Sequence, residues 1–496
     1  MTHPTARSIV VLASALGCLL SCSAPTSAPP ARPGAPAAPD TPPAARQFAA
    51  WLAAFDAGDR ARLVAYHHDS FPYAAASNPF SDIDHELGYR GATGGLDLVK
   101  SEVSTATRFV AILKKRDMEQ FHRAEMEVEA APPHRVVHFQ LARIPPPDDL
   151  LAPRLTEAGA IQALRARIAA AVAADQFSGA VLIAKQGVPI YAEAFGFADR
   201  EHQRPNTLDT RFQLASMGKM FTAVATLQLV QAGKLALRDP LGKLVPGYPN
   251  KTVASKVTIH HLLSHTGGTG DIFGPELWAR RRALRTLQDY VDLYGTRDLT
   301  FEPGSTWQYS NYGFLLLGIV IEHVTGQSYY DWVHAHVLEP SGMSSTGWPI
   351  EGPGDPGLSV GYTRHAPGAP WVALGEDMQL YRGTAAGGGV STVADLLRFA
   401  NALGAHQLLD AEHTALLTTA KAETPANRTY AYGFEDETVL GVRCVGHGGG
   451  SPGANGRLYI CDSGYTIVVL ANLDPFAADG VADFIRLRLP ANAAAR

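Results

Sequence analysis

The chain has 496 residues, 46% of them hydrophobic and 18% charged, with a formal net charge of −5. That length and apolar content suffice for a large core spread over more than one domain. Neither sign of charge dominates, so no nucleic-acid partner is expected, and the sequence shows no internal repeat or nucleotide-binding loop.

Arg7 followed by the apolar stretch Ile9 to Leu20 reads as a signal peptide, too short for a comfortable membrane span. Leu19-Leu20-Ser21-Cys22 resembles a bacterial lipoprotein box, with Leu20 bulkier than usual at its position, and it makes Cys22 the expected lipidation site. An ordinary cleavable signal is the alternative. The expected product of residues 1–22 is therefore an exported protein, a periplasmic or cell-surface lipoprotein that meets the membrane only through a lipid anchor. Residues 23–45 are Pro/Ala-rich with almost nothing bulky to bury, and read as a tether.

Residues 46–147 read as a small α+β module. Phe48, Leu52, Phe55, Leu63 and Tyr66 fall on a helical period interrupted at Asp56-Ala57-Gly58-Asp59, which predicts two short helices from Gln47 to His67. Phe109–Leu113, Ala124–Val128 and Val136–Leu141 predict strands, the middle one alternating. His67, His68, His122, His134 and His138 have no metal-ligand spacing and are expected on the surface or on strand faces. The module resembles the cystatin-like or NTF2-like domains found ahead of some serine hydrolases, and Pro145-Pro146-Pro147 marks its end.

The second domain, residues 155–490, opens with a helix over Ile161–Ala173 and a hairpin, Ala180–Ala184 with Ile190–Phe195, around Gly187. Ser216-Met217-Gly218-Lys219 is the only S-x-x-K in the chain and leads into the apolar run Met220–Val230, which ends at Gly233. A serine hydroxyl is a poor nucleophile at neutral pH and needs a base within hydrogen-bond reach, which an i, i+3 amine on one helix face supplies. A helix N-terminus also favours the negative charge that develops in acyl transfer. Downstream, Tyr309-Ser310-Asn311 follows a turn and precedes the apolar run Phe314–Val320. A phenol beside an ammonium has its ionised form favoured, so Tyr309 is expected to take the serine proton, with Asn311 accepting from Lys219 and donating to substrate. Tyr248-Pro249-Asn250 matches the same pattern but sits in a turn without a buried helix after it. Finally, His447-Gly448-Gly449-Gly450 precedes the strand-like runs Gly456–Cys461 and Tyr465–Leu470, where glycines would let a substrate backbone lie along the sheet edge and a backbone N–H would complete an oxyanion hole with that of Ser216.

In their order and context these motifs resemble the serine β-lactamase and penicillin-binding-protein superfamily, in its class C-like branch with the family VIII esterases and D-amino-acid peptidases. Val257–Gly268, Leu338–Met343 and Ala386–Thr392 carry further signatures, so the resemblance extends over roughly residues 155 to 490. It implies an α+β fold, an antiparallel sheet flanked by helices plus an α-rich subdomain. It also implies an acylated Ser216, Lys219 and Tyr309 as its acid/base partners, and a substrate cleft lined by Asn311 and by His447 to Gly450. No cofactor or metal is implied, and the partner is a small-molecule or peptide substrate. The chain departs from the β-lactamases in carrying His447-Gly448-Gly449 where they have Lys-Thr-Gly. A histidine is mostly neutral at pH 7, which weakens recognition of a carboxylate and favours esterase or D-peptidase activity over β-lactam hydrolysis. β-Lactamase activity, or a penicillin-recognising binding or sensor module without turnover, is the competing reading.

Four features remain. Gly449-Gly450-Ser451-Pro452-Gly453 matches the G-x-S-x-G elbow, but a strand rather than a helix is expected after it, which argues against an α/β-hydrolase. Cys444 and Cys461 stand equidistant from the centre of the Pro452-Gly453 turn, so a regular antiparallel hairpin places them opposite one another. A disulfide and two buried free thiols are both compatible with that placement, the latter if a bulge shifts the register. His260, His261 and His265 lack the spacing of a ligand set and are expected in a helix and turn near the cleft. A terminal helix is expected over Ala477–Leu487.

Overall fold

The computed structural model describes residues 41–71, 78–116, 118–350, 355–364, 369–375, 378–424 and 428–492. The signal segment, Cys22 and the tether as far as residue 40 lie outside the described residues.

The N-terminal module is three helices, Pro43–Ala57, Arg60–Ser70 and Ile83–Thr93, followed by a four-stranded antiparallel meander, Leu96–Ser104, Arg108–Lys115, Phe121–Val128 and Val136–Ile144. The first helix begins at Pro43 rather than Gln47, because a proline is pre-organised for the first helical position and Ala44 is already buried. It ends where Gly58 adopts a left-handed conformation (φ 62°), and Asp59 starts the next helix by accepting from the Arg62 N–H. Ala124, Met126 and Val128 pack under the helices with Phe48, Trp51 and Phe139, while Arg123, Glu125 and Glu127 alternate with them on the other face. Ile83–Thr93 and Leu96–Ser104 were not expected from sequence. That strand lies at the sheet edge and buries only Leu96, so it has no apolar alternation to detect. His67 corrects the expectation of a surface histidine: it is buried, with Nε2 2.7 Å from Glu86, a fully buried carboxylate that also accepts from the Trp51 indole at 2.8 Å.

The second domain is built on an eight-stranded antiparallel sheet in the spatial order Ala422–Glu423, Thr429–Tyr430, Glu435–Val439, Val442–Ser451, Ala454–Cys461, Tyr465–Ala471, Gly179–Lys185, Val188–Phe195. Its first hairpin thus completes a sheet whose other strands come from the C-terminal part of the chain. Gln186 and Gly187 close that hairpin with φ of 51° and 77°, the left-handed pair a two-residue turn demands. Tyr465–Ala471 is buried along its whole length because both sheet faces are covered. Ile467 and Val469 face the helices Glu157–Ala173 and Ala477–Arg486, and Val468 and Leu470 face Lys219–Gln231 and the α-rich half. That half surrounds the buried helix Asn311–Thr325 with Leu241–Leu244, Lys251–Lys256, Ile259–Leu263, Pro275–Arg280 and Leu287–Tyr294. The architecture is α+β, as expected.

The Pro452-Gly453 turn joins two strands without a register shift, so Cys444 and Cys461 are direct partners, with Cα atoms 4.0 Å apart and their sulfurs bonded. Ser451 ends one of these strands and Ala454 begins the other, which is a hairpin and not a nucleophile elbow.

Candidate active site

Ser216 lies on a 3-10 turn, Ala215–Gly218, and the helix proper starts at Lys219 and runs to Gln231. The expected helix therefore begins after the serine. A 3-10 turn brings residues three apart into eclipse, which sets Lys219 Nζ 3.2 Å from Ser216 Oγ. The turn is held from the side by the Gly-rich segment at Gly387: the Gly388 N–H donates to the Ala215 carbonyl at 3.0 Å, and a Cβ on Gly387 would fall 2.2 Å from that oxygen. Ala215 itself has φ 44°, a left-handed non-glycine residue over-determined by these contacts.

Lys219 is fully buried and donates to Asn311 Oδ1 at 2.7 Å and to the Ala386 carbonyl at 2.6 Å. Burial pulls its pKa down to about 7, with the charge of Asp271 pulling the other way. The neutral amine has two protons and one lone pair. Its protons are taken by the two fixed oxygens, so the lone pair points at the Ser216 hydroxyl.

Tyr309 is hydrogen-bonded to Ser216, but its electrostatics differ from the sequence expectation. The Lys219 nitrogen sits over the ring face, 4.7 Å from the centroid, rather than beside the phenol oxygen, and burial raises the phenol pKa. The neutral phenol is the resting form, and the group poised near neutrality is Lys219. The acid limb of the pH dependence of acylation is therefore expected to rise with pH through a midpoint near pH 7 as the Lys219 amine loses its proton, a midpoint that pre-steady-state acylation rates measure directly.

His265 packs against the opposite side of this centre, its ring 4.3 Å from that of Tyr309 and 4.7 Å from that of Tyr430. Its Nδ1 accepts from the Ser310 N–H at 3.1 Å, and burial with the neighbouring Lys219 keeps the ring neutral. It holds the Tyr309–Asn311 turn in place. Ser310 caps the following helix by accepting from the Gly313 N–H at 2.9 Å. The other histidines of this region are structural: His260 meets the Tyr432 hydroxyl at 2.7 Å, and His261 forms a capping box with Thr258. Tyr248 and Asn250 are structural too. The Tyr248 hydroxyl meets that of Tyr312 at 3.0 Å, and the Asn250 side chain caps Lys251–Lys256.

His447 enters from the strand Val442–Ser451. Its Nδ1 meets the Gly448 carbonyl, its Nε2 lies 3.0 Å from the Tyr430 hydroxyl, and burial lowers its pKa to about 4. A neutral imidazole thus stands in the cleft. The glycines beside it answer to the protein itself as well as to an incoming substrate. A Cβ on Gly448 would meet the Arg457 guanidinium at 2.5 Å, and one on Gly449 would meet the Leu214 carbonyl at 2.1 Å. Arg457 is fixed there by Glu435 and Asp479 in a buried ion cluster that also takes in Arg428. Strand Glu435–Val439 pairs with Val442–Ser451 only as far as Gly446, so the strand edge is open beyond that point. Counting from the two-residue turn, Ser451, Gly449 and His447 exchange hydrogen bonds with the neighbouring strand, which leaves the N–H groups of Gly448 and Gly450 directed out of the open edge.

Residues 164–492 match the protein family described as Beta-lactamase. The chain belongs to the β-lactamase family. It is 37% identical over 175 residues to penicillin-binding protein 4* of Bacillus subtilis (34% of this chain, 38% of that protein). It is 38% identical over 190 residues to esterase EstB of Burkholderia gladioli (34% of this chain, 47% of that protein). These matches therefore span less than half the length of either relative. Among solved structures, a D-stereospecific amidohydrolase from Streptomyces sp. superposes with a TM-score of 0.53 at 29% identity, covering 64% of this chain and 94% of that one. Within the family fold, Ser216, Lys219, Tyr309, Asn311 and His447 converge on one centre. Sequence reasoning missed Asp271, Tyr430 and the Ala386 carbonyl, which complete it.

Proposed function

We propose that this protein is an exported serine hydrolase that opens an ester, amide or D-peptide bond through an acyl-Ser216 intermediate. The observation that carries this reading is the buried Lys219 amine, 3.2 Å from Ser216 Oγ, with a pKa lowered to about 7. In this scheme neutral Lys219 takes the Ser216 proton as Oγ attacks the substrate carbonyl. The N–H groups of Ser216 and Gly450 stabilise the oxyanion, the neutral Tyr309 phenol, hydrogen-bonded to Ser216, donates its own proton to the leaving group, and the proton taken up by Lys219 then returns to the phenolate, so that both groups end in their starting forms. Water then repeats the sequence on the acyl-enzyme. The leader and Cys22 support export and lipid anchoring from the sequence side, and fractionation with metabolic palmitate labelling tests both.

The same charge inventory orders the substrates. His447 is neutral at pH 7 and supplies no cation to grip a carboxylate, the group every common β-lactam carries. Ester or D-amino-acid amide cleavage is accordingly expected to exceed β-lactam hydrolysis, in keeping with the esterase and the amidohydrolase among its relatives. Rates on a short-chain nitrophenyl ester, a chromogenic cephalosporin and D-alanyl peptides, measured side by side, test this. Fast cephalosporin turnover with no ester cleavage would overturn it.

A further inference from the structure

The Asn311 carboxamide has two ends of nearly the same shape and opposite chemistry. With Oδ1 toward Lys219 it accepts a hydrogen bond at 2.7 Å; turned over, its NH2 would face the amine and compete for the lone pair that Ser216 needs. Lys219 cannot choose the orientation by itself, since a neutral amine both donates and accepts. The choice is made on the far side, where Asp271 Oδ2 accepts from Asn311 Nδ2 at 3.1 Å. A carboxylate only accepts, so it admits the NH2 end alone. Its Oδ1 is fixed in turn by the N–H groups of Ile272 at 2.7 Å and Asn311 at 3.1 Å.

We propose that Asp271 is a positioning residue of the acylation centre, which dictates that the oxygen end of Asn311 faces Lys219 and so keeps the amine aimed at Ser216. This rests on the acyl-Ser216 reading above. Among the described residues, the polar and titratable groups around Lys219 are Ser216, Asn311, the Ala386 carbonyl, Tyr309, His265, His447 and Asp271. Both histidines and the phenol are neutral, so Asp271 supplies the negative charge that favours the ammonium. It therefore acts twice on the amine, through the amide it orients and through its charge. A mere helix cap would do neither.

The two roles separate in a pH profile. Time-resolved labelling of Ser216 by a fluorophosphonate, read by intact-protein mass spectrometry across the neutral range, is expected to be at least about tenfold slower in Asp271→Asn, because the carboxamide loses its fixed orientation. The acid limb is expected to move to lower pH by about one unit, because the charge that favoured the ammonium is gone. Asp271→Glu, which keeps the charge, should leave the limb close to its native position. Asp271→Ser carries the same two expectations as Asp271→Asn if the latter does not fold. Native labelling rates with an unmoved limb overturn the proposal. So does slower labelling with the limb unmoved or shifted to higher pH, which marks a loosened and hydrated helix start. The native protein separates the two levels of the argument: no Ser216 adduct on it removes the acyl-serine reading and this role together, whereas native labelling beside an unaffected Asp271→Asn removes this role alone.

Discussion

Ser216→Ala is expected to abolish acylation: the native protein gains a single fluorophosphonate adduct and the variant gains none, while substrate turnover falls by about five to six orders of magnitude. No neighbouring hydroxyl can substitute. Among the described residues the Lys219 amine hydrogen-bonds to Ser216, Asn311 and Ala386, the last two contacts being buried. Ser310 directly follows Tyr309 and caps the helix Asn311–Thr325, but its hydroxyl donates to the Gly270 carbonyl and accepts from the Gly313 N–H, and Ser451 ends a strand at a tight turn. A folded native protein that never labels would instead place the chain among non-turnover modules that use the same fold for binding.

Lys219 and Tyr309 are expected to behave as one unit. Tyr309→Phe should lower kcat by at least about 100-fold and Lys219→Ala by at least as much, the usual contribution of a positioned acid/base group. The double variant should be scarcely worse than the weaker single one. The reason is geometric: both groups bond the same Ser216 oxygen, and the amine rests on the face of the phenol ring. Once either is gone, the proton path through that oxygen is broken and removing the other costs little. Tyr248→Phe loses only a hydrogen bond to the Tyr312 hydroxyl, remote from this chemistry, and should retain near-native kcat. A kcat/KM cycle over the four proteins, with Tyr248→Phe as control, measures the coupling. Additive losses, or a Tyr248→Phe as damaging as Tyr309→Phe, would overturn the assignment.

The primary structure by itself determined those parts of this protein that depend on neighbours in the chain. Ser216 and Lys219 are one turn apart in any helical conformation, and the apolar runs after Lys219 and Asn311 can only be buried helices. Counting from Pro452-Gly453 sets Cys444 opposite Cys461 for a regular hairpin, and the folded sheet decided that no bulge shifts that register. Histidine in place of lysine at 447 removes a permanent charge whatever surrounds it. The tertiary structure decided what depends on distant neighbours. Asp271 lies in a loop with no motif of its own, and its part emerges only when that loop is folded against the start of the Asn311 helix. Tyr430 and the Ala386 carbonyl come from far downstream and reach the centre through sheet order and a glycine-tight contact. The protonation states were decided the same way. From the motif, an ammonium beside a phenol predicts a phenolate; in the folded protein the desolvation of both groups outweighs their attraction, so the phenol stays neutral and the amine's pKa falls to about 7. Burial is a property of everything packed around a group, and no local stretch of sequence contains it.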